Sequence, residues 1–142
     1  MRKRRERQDA IRRMVRNERI RTQRALVDRL KDDGYDCTQA TVSRDITEMG
    51  LRKLPEGVYV LAEDLHLQRM VKDLVVGVKR TANLVLVKAQ AGTAPGVAAA
   101  LDAAEIGGIL GSVSGDDTIL VITDSEPEGA ALVETLDKFR GA

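Results

Sequence analysis

The chain has 142 residues, enough for one ordinary domain or two small ones. Hydrophobic residues make up 43% and aromatics only 2%, with no Trp, so a core must be built from Leu, Ile, Val and Ala, and a fully disordered chain is excluded. The single cysteine, Cys37, and single histidine, His66, exclude an internal disulfide, leave too few ligands for a Cys/His zinc site, and make an enzyme a poor expectation.

The 23 Lys and Arg residues nearly balance 22 Asp and Glu, but the two signs are segregated. Residues 1–61 hold 16 basic and 10 acidic side chains, a net of +6, whereas residues 62–142 hold 7 and 12, a net of −5. The first 24 residues alone carry 11 basic side chains. Such asymmetry fits a nucleic-acid-binding half joined to a half with another task; the plainer alternative is a solvated basic helix. No apolar run approaches the roughly 18–20 residues that span a bilayer. The basic start Met1-Arg2-Lys3-Arg4-Arg5 leads into no apolar segment, so a cytoplasmic protein without membrane partners is expected.

In chain order, a first helix is predicted over about Arg7–Arg19, with Ile11, Met14 and Val15 on one stripe. Thr22 is a candidate N-cap for a second helix carrying Ala25, Leu26, Val27 and Leu30, which Gly34 ends. Thr38 offers a third N-cap, for residues 39–49, and Gly50 stops that helix. Val42, Ile46 and Met49 face inward at i, i+4 and i+7, so Ala40, Ser43, Arg44 and Thr47 project outward. A small, hydroxyl-rich face around one Arg suits close approach to base edges and phosphates; an ordinary solvated face more often carries Lys and Glu. Leu51–Leu54 and Val58–Leu61 flank Pro55-Glu56-Gly57 as a short hairpin. Three helices and a hairpin make a winged helix-turn-helix, the alternative being a small helical protein-interaction module.

The run Thr38-Gln39-Ala40-Thr41-Val42-Ser43-Arg44-Asp45-Ile46, with Glu48, Leu51, Lys53 and Tyr59, resembles the DNA-binding domain of the bacterial arginine repressor family. The resemblance implies that Ser43 and Arg44 contact DNA, with Gln39 and Thr41 assisting at the helix start. Cys37 reads as packed rather than redox-active.

Residues 62–73 read as a linker with some helical character, with His66 a surface or packing residue. Strands are predicted at about 74–80, 84–89, 109–114 and 118–123, a helix opening at Thr93 and Pro95, and a final helix over about 126–139 with Ala130, Val133, Leu136 and Phe139 inward. The order ββαββα predicts a four-stranded antiparallel sheet covered on one face by two helices. Its other face, rich in Val, Leu and Ile, needs a partner, and subunit association is the simplest one. The fold class is therefore α+β, with a winged-helix domain at 1–61, a linker at 62–73 and an α/β sandwich at 74–142.

Between the last two strands lies Ser114-Gly115-Asp116-Asp117-Thr118. Taken alone it suits a plain hairpin turn; its two carboxylates also suit a guanidinium or, less readily, Mg²⁺. The stretch Gly108–Leu120 resembles the C-terminal signature of the same family. That resemblance implies that Asp116 and Asp117 bind L-arginine where two trimers meet in a hexamer, and that Asp102 lies near the ligand. It implies an L-arginine-dependent regulator that binds double-stranded operator DNA, with arginine as effector and neither metal nor other cofactor. A winged-helix regulator of another metabolite is the competing reading, which the acidic pair disfavours. One departure stands out: the family often places a Gln or His seven residues before the helix Asp, and here that position is Pro95.

Overall fold

The computed structural model describes residues 2–141; Met1 and Ala142, the outer limits of the two expected domains, lie outside the described residues. The chain divides into two compact units, residues 1–64 and 65–142.

The first unit holds α1 (Arg2–Asn17), α2 (Gln23–Asp32), α3 (Gln39–Met49), β1 (Leu51–Lys53) and β2 (Tyr59–Leu61). α1 begins five residues before the start that the apolar stripe predicts, because the Arg, Lys, Glu and Gln preceding that stripe are good helix formers. Thr22 and Thr38 cap α2 and α3, their hydroxyls accepting from the Ala25 and Thr41 amides at 2.9 and 3.2 Å. Gly50 ends α3 in the left-handed conformation (φ 69°), which an L side chain adopts only at a cost. β1 and β2 pair antiparallel, with Leu51 opposite Leu61. Ile11, Leu26, Leu30, Val42 and Leu61 are fully buried at the centre of this unit, and Cys37 lies among them. Burial pushes the Cys37 thiol above its usual range.

Residues 62–73, read from the sequence as a linker, lie within one helix, α4 (Ala62–Leu74). Its first turn is held in the first unit by Arg16, which donates to both Asp64 carboxylate oxygens at 2.7 and 2.8 Å. Leu67 and Val71, further along, are buried in the core of the second unit. His66 is exposed on this helix.

The second unit continues with β3 (Val75–Thr81), β4 (Leu84–Ala89), α5 (Ala94–Ala103), β5 (Ile109–Ser114), β6 (Thr118–Thr123) and α6 (Glu126–Gly141). The four strands form one antiparallel sheet in the order β3-β4-β6-β5. Val85, Val87, Ile119 and Val121 point to the helix-covered face and are buried with Val97, Leu101, Leu132 and Leu136. The alternate residues Leu84, Leu86, Leu120, Ile122 and Val113 share the opposite face through their cross-strand pairs. Val113 is 67% exposed, and Leu110 and Val76, at bulges of the edge strands, are 68% and 58% exposed.

α6 turns inward most of the stripe its apolar residues predict: Leu136 is in the core and Val133 and Phe139 pack against it, so only Ala130 departs from the expectation. Gly129, Leu132 and Leu136 are buried, while Ala130 is exposed and Val133 and Phe139 are half-buried. Gly129 allows close approach to the sheet, since a Cβ there would lie 3.2 Å from both Thr123 Oγ1 and Arg80 Cδ. Among the described residues, no helix is long and apolar enough to cross a membrane.

Candidate functional site

On α3 the spacing i, i+3, i+4, i+7 places Val42, Asp45, Ile46 and Met49 toward the core. Arg44 and Thr47 are exposed on the other side and Ser43 is half-buried between them. Ser43, Arg44, Thr47 and Glu48 line one shallow depression of the surface. The Thr47 hydroxyl donates to the Ser43 carbonyl at 3.3 Å, so Thr47 is partly engaged by its own helix. Gln39 is exposed at the helix start, and the Thr41 hydroxyl lies 3.0 Å from that of Thr38 in the cap. All four sequence-predicted DNA contacts thus belong to one helix, but Thr41 is shared with the capping structure, while Arg44 stands open to solvent.

Asp45 is not singled out by the sequence reading, and it anchors this helix. It is 1% exposed. Arg7 of α1 donates to it twice, Nε to Oδ2 at 2.5 Å and Nη2 to Oδ1 at 2.9 Å, and Gln8 Nε2 adds a bond of 3.0 Å. Burial alone would raise the Asp45 pKa; the bonds from Arg7 and Gln8 and the guanidinium charge outweigh it and hold the carboxyl below its ordinary value. The Arg7 pKa is raised in turn, chiefly by its hydrogen bond to Asp45. Helical spacing alone places Asp45 inward, three residues after Val42, and that is the available signal.

In the second unit the β5–β6 turn is pinned by its backbone. Gly115 N–H donates to the Thr118 carbonyl at 2.8 Å, Ala94 N–H at the start of α5 to the Asp116 carbonyl at 3.1 Å, and Ala89 N–H to the Asp117 carbonyl at 2.8 Å. Thr93, the predicted cap of α5, donates its hydroxyl to the Gln90 carbonyl at 2.7 Å instead. Asp116 and Asp117 are both exposed at this corner. Asp117 Oδ1 accepts from the Thr118 hydroxyl at 2.9 Å, and its Oδ2 lies 3.6 Å from Lys88 Nζ. The Thr118 bond and, after it, the Lys88 charge hold the Asp117 carboxyl below its ordinary pKa. Lys88, which the sequence reading passes over, stands directly across from Thr118 in the β4–β6 pairing. A Cβ on Gly92 would sit 4.0 Å from Asp116 Oδ1, so Gly92 leaves space beside that carboxylate.

Asp102 does not join the pair within one chain. It is exposed in the last turn of α5, eight residues beyond Ala94, or about 12 Å along the helix axis at 1.5 Å per residue. Pro95 is exposed in the first turn of the same helix.

Two family sequence patterns together match most of the chain. Residues 2–67 match the arginine repressor DNA-binding domain and residues 71–138 the arginine repressor C-terminal domain. The chain belongs to the arginine repressor family. Among curated relatives, the arginine repressor of Halothermothrix orenii is 42% identical over 78% of this chain and 81% of its own length. That of Shouchella clausii is 41% identical over 87% and 90%, and that of Thermus thermophilus is 44% identical over 96% and 88%. The two arginine repressor domains meet between residues 67 and 71, inside α4, so the family boundary falls within a helix rather than in a loop. The winged helix-turn-helix and the antiparallel α/β unit expected from the sequence are the two parts that this family joins.

Proposed function

We propose that this protein is an L-arginine-dependent DNA-binding repressor of arginine metabolism genes, working in the cytoplasm as a hexamer of two trimers and without enzymatic activity. The observation that carries the reading is α3, a helix capped at both ends, buried on one side, and offering Ser43 and the exposed Arg44 on the other. In the major groove Arg44 would donate two parallel bonds to one guanine while Ser43, Gln39 and Thr41 take nearby base edges or phosphates. The excess of basic residues in the first unit supplies the sequence-independent attraction.

Asp116 and Asp117 offer carboxylate oxygens on a turn fixed by three backbone bonds. A guanidinium fits such acceptors as a planar fork; a lysine ammonium does not. Asp102 would then come from another subunit, since its own chain holds it at the far end of α5. The open apolar sheet face supports self-association. One reading head alone binds DNA weakly, whereas heads joined in one assembly bind at high effective concentration. Arginine strengthens this only by binding the assembled, correctly oriented state better than the others. The test is calorimetry with a panel of amino acids, followed by titration of a duplex selected by the protein from a random pool, with and without arginine. Arginine alone of the panel should bind and should tighten the protein on its duplex; an affinity indifferent to arginine refutes the reading.

A further inference from the structure

The depression that holds Ser43 and Arg44 has one acid among its lining residues, Glu48. A carboxylate on a face that meets phosphates is repelled by them unless something holds its charge. Two side chains of α1 do so: Arg4 forms an ion pair with Glu48, and Gln8 Nε2 donates to Glu48 Oε2 at 3.0 Å. The same Gln8 nitrogen donates to Asp45 Oδ1, beside the two hydrogen bonds from Arg7. One turn of α1 thus grips both carboxylates of α3. The arrangement also suits α1, whose first turn carries basic residues and no acid where its dipole favours negative charge. Glu48 brings that charge from outside the helix.

We propose that Arg4 acts on DNA reading through Glu48, neutralising the carboxylate of the reading face and holding it back, rather than as a phosphate contact of the basic arm. Arg4 is then a positioning residue, set apart from the exposed Lys3 and Arg5 beside it. The inference rests on the reading of α3 as the DNA-contacting helix. Both partners of the Arg4–Glu48 pair are substantially exposed, and exposed pairs add little to folding, so the variants should keep the fold.

The test is a double-mutant cycle on the full chain with arginine present, at fixed salt, on the duplex the native protein selects. Arg4→Ala should weaken binding about threefold or more, the repulsion of two unit charges some 6 Å apart in water. Glu48→Gln should bind at least as well as the native protein, and Arg4→Ala on the Glu48→Gln background should cost nothing further. Arg4→Lys should keep most of the native affinity, since it keeps the charge. If Arg4→Ala weakens both backgrounds equally, Arg4 meets phosphate directly and the proposal falls. If Glu48→Gln loses affinity for one base pair in particular, Glu48 reads a base and the proposal falls as well. Arg44→Ala is the control: unchanged binding there overturns the DNA-reading assignment of α3 itself, whereas lost binding with an additive cycle overturns only this inference.

Discussion

Arg7 and Asp45 stand 38 residues apart in sequence and meet through two hydrogen bonds that fasten α1 to the buried side of α3. Asp45 is almost fully buried, so removing its charge leaves a guanidinium without its partner in a largely desolvated place. Breaking such a pair from one side costs about 3 kcal/mol or more. Asp45→Ala should therefore lower the stability of the first unit by that order, measured by urea denaturation. The folded pKa of Asp45 lies below its unfolded value, so its contribution is complete above the ordinary carboxylate range and is lost as pH falls through the folded pKa. Native protein should lose stability on acidification from neutral pH into that range, and Asp45→Asn should lose less over the same interval. Parallel acid titrations of the two proteins would contradict the assignment.

Arg44→Ala tests the reading face without touching the core. The side chain is exposed, so folding and assembly should be unchanged by circular dichroism and sedimentation. Loss of a bidentate guanine contact costs about 1–3 kcal/mol per head, multiplied when several heads share one DNA. A gel-shift titration at fixed salt reads it directly, and retained affinity would remove Arg44 from the interface.

Asp117→Asn keeps size and turn compatibility while removing the charge that Thr118 and Lys88 stabilise. Arginine affinity should fall about tenfold or more, because a charge-assisted bond becomes a neutral one. Basal DNA binding should persist, and added arginine should no longer strengthen it. Because the Asp117 pKa lies below the ordinary value, arginine binding by the native protein should hold through mildly acidic pH and fail only as the carboxylate protonates. A full arginine response in both Asp116→Asn and Asp117→Asn would leave the pair as a plain turn.

Val113→Asp addresses assembly. The native side chain is 67% exposed on the open sheet face, so a charge there leaves the subunit fold intact. Buried in a subunit contact, the same charge opposes association. Sedimentation should show a smaller species than the native protein; an unchanged mass would place the contact elsewhere.

Much of the fold is legible because its signals are local. Thr22, Thr38 and Gly50 mark helix ends by their own chemistry, and the alternation in 84–89 and 118–123 marks two strands with one buried face each. What escapes the sequence depends on pairs far apart in the chain. Asp45 reads as one more polar residue on a polar helix until Arg7 and Gln8 arrive from α1. Lys88 reads as a solvated strand residue until the β4–β6 register sets it across from Thr118, beside Asp117. On α6 the expected stripe fails only at Ala130, and Gly129 next to it, which adds nothing to an apolar stripe, is where the helix closely approaches the sheet. For the candidate ligand site, the turn and its two carboxylates are readable; the separation of Asp102 from them is not, since it follows from the course of α5.

The open sheet face also bears on how stability should be measured. Leu86, Val113 and their neighbours stay in contact with water in a lone subunit, so the core beneath them gains nothing from that side. Any association that covers them binds only the folded chain, and its free energy adds to the folding equilibrium by mass action. Melting temperature then depends on protein concentration, and concentrated samples melt later than dilute ones. For such an assembly, a single melting point has meaning only together with the concentration at which it was taken.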